Sequence, residues 1–174
     1  MANKVQINRL TNANIYMDGG SFLGRAEEVT LPDVQVKMSE HKALGMVGLA
    51  ELPSGIDKME ATIKWNSLYP EALGKAYNPF VTVQMQVRAS LEQYGSQGRT
   101  AQLPVVVYLT GQFKNLPLGA YKQHENVEIE SMLNVLYCKM EIDGDPVLEI
   151  DVMSNIFKVA GDDLLEQFRE NIGG

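Results

Sequence analysis

The chain has 174 residues, 45% of them apolar, and a formal net charge of -7 from 15 basic and 22 acidic side chains. That length and apolar content suit one domain, 1–174, with a hydrophobic core, and exclude an intrinsically disordered chain. The acidic balance excludes a general electrostatic grip on nucleic acid.

A lone cysteine, Cys138, rules out an intrachain disulfide, as expected of a chain that folds in a reducing compartment. The opening MANKVQINRL has no apolar run after Lys4, so no export signal is expected. The longest apolar stretch, 103–109, is strand-sized and broken by Pro104, so no membrane insertion is expected either.

In chain order, the elements predicted first are two strands, 13–17 and 22–31, joined as a hairpin at Asp18-Gly19-Gly20. The segment VQVKMS then sets Val34, Val36 and Met38 against Gln35, Lys37 and Ser39. Residues 41–57, HKALGMVGLAELPSGID, form a loop far longer than a hairpin needs, with Leu44, Met46, Val47, Leu49, Leu52 and Ile56 among three glycines and a proline. Such an apolar loop is costly to leave in water, so it folds back over its own core or is completed by another subunit.

MEATIKWN, 59–66, alternates Met59, Ala61, Ile63 and Trp65 with Glu60, Thr62, Lys64 and Asn66. A short helix over 70–77 opens on Pro70 and Glu71 and stops at Asn78-Pro79. FVTVQMQVRASL, 80–91, sets Val81, Val83, Met85, Val87, Ala89 and Leu91 against Thr82, Gln84, Gln86, Arg88 and Ser90. It pairs with 103–114 as one long antiparallel hairpin with a flexible tip at 94–98 and a bulge near Gly111, and Val106 and Tyr108 fall on its polar side. A long strand, 127–142, turns at Asp143-Gly144 into 147–151. A C-terminal helix spans 161–172, opening at 163 on a capping box of Asp163 and Glu166 and ending at Gly173. The fold class is mainly β: an antiparallel β-sandwich or partial barrel with one or two short flanking helices.

No catalytic, metal or cofactor constellation stands out. His41 and His124 lie in predicted loops without partners at ligand spacing. Cys138, in a strand, reads as a small buried hydrophobe. Asp143-Gly144-Asp145 lacks the rest of a calcium loop. Glu125, Glu128 and Glu130, and the alternating Glu149 and Asp151, read as solvated faces.

Three stretches carry a family resemblance. The first is Asn14-Ile15-Tyr16-Met17-Asp18-Gly19 with Ser21-Phe22 and Gly24, leading into Val29-Thr30-Leu31-Pro32. The second is Gly45-Met46 followed by the 59–65 strand. The third is Glu149-Ile150-Asp151, Asn155, Lys158-Val159, Gly161, Asp163-Leu164, Arg169 and Asn171-Ile172-Gly173. In their order and spacing they resemble the major tail tube proteins of contractile-tailed phages and R-type tailocins.

That resemblance implies a structural subunit and no enzyme. Homohexameric rings would stack into the inner tube of the virion tail, assembled in the host cytoplasm, with strands of neighbours joined into a ring-shaped β-barrel. The partners implied are further copies of the chain, the tail sheath protein, and the baseplate and tail terminator or tape measure proteins. DNA in a phage, or ions in a tailocin, would pass through the lumen without sequence-specific binding. Under this reading Leu44, Met46, Val47, Leu49, Leu52 and Ile56 make inter-ring contacts, and Lys64, Thr82, Gln84, Gln86 and Arg88 line the lumen. The polar strand faces carry Lys37, Lys64, Arg88 and Lys114 against Glu60, a basic excess that a DNA conduit should avoid. Two alternatives stay open: the tube protein of a related contractile secretion system, and a small β-sandwich ligand-binding module. The module would need an exposed aromatic cluster, which 7% aromatics and a Trp65 on an apolar face do not supply.

Overall fold

A computed structural model describes residues 5–115 and 117–173; Lys4 and the two ends of the expected 1–174 unit lie outside them. In chain order the elements are β1 (Ile7–Met17), β2 (Gly20–Ser21), β3 (Ala26–Thr30), β4 (Val36–His41), β5 (Ala50–Ile56), β6 (Met59–Trp65), α1 (Pro70–Ala76), β7 (Val83–Gly95), β8 (Gly98–Phe113), β9 (Ile129–Ile142), β10 (Asp145–Asp151), β11 (Ile156–Val159), β12 (Asp162–Asp163) and α2 (Glu166–Ile172). The fold is mainly antiparallel β, as expected.

One sheet runs β12-β11-β10-β9-β8-β7-β1-β2. A branch, β6 with β3 on its far side, leaves it at β9. β9 makes the branch possible: one edge pairs with β8 over Leu133–Ile142, while the other holds β6 along 129–135 and β10 along 137–142. Leu136 is the extra residue between the two partners, and its carbonyl accepts the Val152 N–H at 3.0 Å. Across β8 the same bulge appears as a register shift between Thr110 and Gly111.

Alternation then dictates the core. Met59, Ala61, Ile63 and Trp65 of β6 join Ile15 and Met17 of β1, Val83, Met85 and Val87 of β7, Val107 and Leu109 of β8, and Leu133 and Val135 of β9 in one buried cluster. Ala72 and Ala76 of α1 complete it from outside the sheet. The buried Trp65 indole donates to Ser131 Oγ at 3.1 Å, so its polar edge is not stranded in the core. The Asp143-Gly144 turn closes β9 onto β10 with φ of 55° and 87°, the pair of positive angles that Asp-Gly supplies most readily.

Five expectations are corrected. Residues 41–57 are not one loop: 50–56 form β5, which pairs with β4 as a separate two-stranded hairpin, and the irregular tip shrinks to 42–49. Pro53 and Gly55 hide that strand, yet both are tolerated at an edge and a bulge, and the register does shift between Val36 and Met38. β4 itself buries no face; only Val34, before it, packs on the core. The N-terminal hairpin is two residue pairs long, after which the chain crosses so that β3 lies against β6. β7 starts at Val83, leaving Val81 and Thr82 exposed outside it, and its tip is closed by a Gly95–Gly98 pair. The capping box is absent: Asp163 sits in β12, α2 begins at Glu166, and the Asp163 carboxylate instead grips Arg169 at 2.6 Å.

The bulge makes one glycine obligatory. A Cβ on Gly111 would lie 2.1 Å from the Asn134 carbonyl oxygen, a backbone atom that cannot rotate away. Gly111→Ala is therefore expected to lower stability by about 1–3 kcal/mol, read as a lower denaturant midpoint at constant m. Gly48→Ala, whose Cβ would meet nothing within 4 Å, is the control and should change stability by less than about 0.5 kcal/mol.

Candidate functional site

Two surfaces stand out: the side of the sheet turned from the core, and the β4–β5 hairpin. On the first, strand register aligns side chains into rows. One row runs across seven strands from β1 to β12: Tyr16, Gln86, Tyr108, Lys139, Glu149, Lys158 and Asp163. A second row holds Gln84, Thr110, Tyr137 and Asp151, and a third Asn14, Arg88, Val106 and Glu141. Between the first two lies a shallow groove of about 290 Å³ that includes Gln84, Gln86, Tyr108, Thr110, Tyr137 and Lys139.

The charges of this face neutralise one another. Lys139 Nζ lies 2.8 Å from Glu141 and Lys158 Nζ 3.6 Å from Glu149. Lys64 donates to Glu28 at 2.7 Å, and Glu60 receives both Lys114 and Lys58. The Lys114 and Lys58 ammonium groups hold the Glu60 carboxyl below its ordinary value, while Glu28 raises Lys64 and Glu141 raises Lys139. Arg88 donates to Gln86 and lies 5.0 Å from the Tyr16 ring centroid. Lys37 belongs elsewhere, at the root of the hairpin, where it faces Asp57 at 3.4 Å. Of the cations counted along the sequence, Lys64 gains the Glu28 carboxylate from another strand and Lys37 gains Asp57, while Lys114 takes Glu60 and Arg88 rests on Gln86 and Tyr16.

Of the expected lumen residues, Gln84, Gln86 and Arg88 share this face. Lys64 lies on the same side by register but at the far end, opposite Glu130 on the branch. Thr82 is exposed just before β7. Tyr16, Tyr137, Lys139, Glu141 and Lys158 were not singled out; their signal is cross-strand register, which a single strand's alternation does not carry.

The hairpin is an arm. Both strands are exposed nearly throughout. At its tip Leu44 and Val47 are as open as in an extended chain, 105% and 108% exposed, and Leu49 is 61% exposed. Met46 and Leu52 are exposed too, whereas Ile56, at the root, packs against the core. The arm therefore offers apolar side chains that its own subunit leaves uncovered.

Among the described residues no group of three or more His, Cys, Asp or Glu could hold a metal ion, and no helix is long and apolar enough to cross a membrane. Comparison with known proteins gives the family. The description "Phage tail tube protein FII" matches residues 7–173. The chain is 31% identical over 168 residues to the tail tube protein of Escherichia phage P2, covering 95% of this chain and 96% of that one. It is 28% identical over 152 residues to the major tail tube protein of Serratia phage KSP20, with 86% of each chain covered. The chain belongs to the phage tail tube protein FII family. Its role is structural, as a component of the virion tail that self-assembles into a tube with other tail components.

Two groups in this tail tube protein are tuned by burial. Cys138, 5% exposed on the core side of β9, has its thiol pushed up to about 11 by desolvation. Tyr137, its neighbour on the polar face, is pushed up to about 12 by burial and then by Glu149, which accepts its hydroxyl at 3.2 Å. Cys138 should stay unlabelled by a thiol reagent in the native subunit at pH 8 and react fully once unfolded. Because folding raises the Tyr137 value, its contribution to stability is complete below about pH 10, the unfolded value, and is lost as pH rises through about 12. In ultraviolet titration of the native protein, one tyrosinate present in wild type and absent in Tyr137→Phe should appear last.

Proposed function

We propose that six copies of this chain close into a ring, that rings stack head to tail, and that the stack is the inner tube of a contractile tail. Strands of neighbouring copies join edge to edge in a barrel, and the sheath surrounds it. Baseplate and terminator or tape measure proteins bound it. The observation that carries this reading is the polar side of the sheet. A row of seven side chains across seven strands, with Lys139, Glu149, Lys158 and Asp163 alternating in sign, is a broad wetted surface opposite a well-packed core. A surface that is neutral in patches suits a bore through which DNA, or ions in a tailocin, must slide without being held. Lys64, Gln84, Gln86 and Arg88 belong to that wall, with Thr82 at its margin. Joining edges between copies also removes the open edge that β1 leaves along most of its length.

Electron microscopy of the purified chain tests the assembly: rings or tubes are expected, and strictly monomeric particles at every concentration would remove the reading. The wall has its own test. In a Cys138→Ser background, Gln86→Cys in long tubes should react with a small thiol reagent and not with a bulky one. Equal labelling by both would put this face outside.

The arm is the stacking device. Leu44, Met46, Val47, Leu49 and Leu52 present apolar surface that only another copy would cover, with Ile56 anchoring the root. Leu44→Asp combined with Val47→Asp should leave the subunit as stable as wild type, because neither side chain is buried. Its elongation into tubes should fall at least about tenfold, measured by light scattering on preformed tube seeds.

A further inference from the structure

A second concavity is mostly apolar and meets the polar face only at Asp151. A groove of about 510 Å³ runs between the root of the arm and the C-terminal helix. Val36 and Ile56 of the root form one wall, Val152 and Phe157 the floor beside β10 and β11, and Leu165 and Phe168 of α2 the other wall. Its volume lies in the range of pockets that bury a ligand. Phe168 is half exposed there, an aromatic ring on an open apolar surface.

We infer that this groove is the socket for the arm tip of a second copy of the chain, in the adjoining ring; the inference rests on the stacking role of the arm. Two observations select that occupant. The same chain carries an apolar knob, Leu44, Val47 and Leu49, and an apolar hollow, each unfilled within the subunit. A knob and a different hollow on one chain make a heterologous contact, the kind that repeats without closing and so builds a filament. Charge is compatible: the tip proper, 42–49, holds Lys42 and no acid, with Glu40 and Glu51 flanking it as a cross-strand pair, and the groove lining holds Asp151 and no basic side chain.

The socket has a consequence for growth. One of its walls, Val36 and residues 53–56, is the root of the receiving subunit's own arm. A tip seated in the groove packs on that root and restricts it, so the arm meant for the next ring is held in place by the ring already added. Each addition then prepares the surface for the one that follows.

Cross-linking tests this directly. In a Cys138→Ser background, tubes of the Val47→Cys, Phe168→Cys variant treated with a short bis-maleimide should give a ladder of covalent dimers, trimers and longer chains. Each single-cysteine variant should give none. Normal tubes with no ladder, or with a cross-link only inside the monomer, overturn the socket. Elongation separates this inference from the stacking role on which it rests. Phe168→Asp should remain folded, since its ring is half exposed, and should slow seeded growth at least about tenfold, like the Leu44→Asp, Val47→Asp variant. Loss of growth in the tip variant with normal growth in Phe168→Asp would mean that the arm stacks elsewhere, which overturns the socket alone. Normal growth in the tip variant would overturn both.

Discussion

β9 offers one edge to two partners, and the bulge at Leu136 is where they meet. Had the strand run straight, side chains before and after that point would keep one parity. The extra residue shifts it: Ile129, Leu133 and Val135 face the core on one side of the bulge, and Cys138 and the partly buried Met140 on the other. The branch β6–β3 and the path β10–β11–β12 can then both lie antiparallel to β9 while their apolar sides feed one core. The arm leaves the chain just before β6 begins, and β10 ends where β6 starts. The bulge thereby brings the arm root next to Val152, Phe157 and α2, and the apolar groove follows from that placement.

The same register creates the polar wall. Lysines and carboxylates far apart in sequence, such as Lys64 with Glu28 and Lys114 with Glu60, become neighbours only once strands pair. Pairs this exposed contribute little to stability. Their effect is on the field the wall presents. A unit charge beside its opposite looks neutral at the distance of a passing phosphate, and screening shortens its reach further. An acidic chain can thus have a bore-facing surface that neither binds nor strongly repels a polyanion. In the proposed tube this matters more than net charge, since a polymer held at even a few sites per ring would stall.

Period-two alternation made β6, β7 and the 127–142 strand legible in the sequence because each buries one face, and burial is what alternation records. β8 was less clear, because parity puts the apolar Val106 and Tyr108 on the polar side; they do stand there, between inward-facing Val105, Val107 and Leu109. The arm was legible only as a length of uncovered apolar chain. β4 and β5 bury nothing in their own subunit, so no alternation marks them, and Pro53 and Gly55 look like a loop. Asp163 misled for a related reason. Its spacing to Glu166 is that of a helix cap, but Arg169, six residues on, is the stronger partner for a carboxylate at a strand end. The long row from Tyr16 to Asp163 was out of reach, because it depends on the bulge and on which edges meet.

A subunit built this way faces a conflict between solubility and assembly. The arm tip must be apolar to gain anything from contact, yet until contact it exposes Leu44 and Val47 to water on a hairpin too small to be rigid alone. Ordering it costs about 1–2 kcal/mol per residue fixed, and two free subunits meeting by chance must meet that cost for a single contact. A completed ring changes the balance, because it presents several ordered arms at once and the receiving surfaces of an added ring engage them together. The cost falls on the first ring and the gain on every later one. Growth from an existing end is then favoured over new starts, so the place where the first ring forms sets where the tube begins.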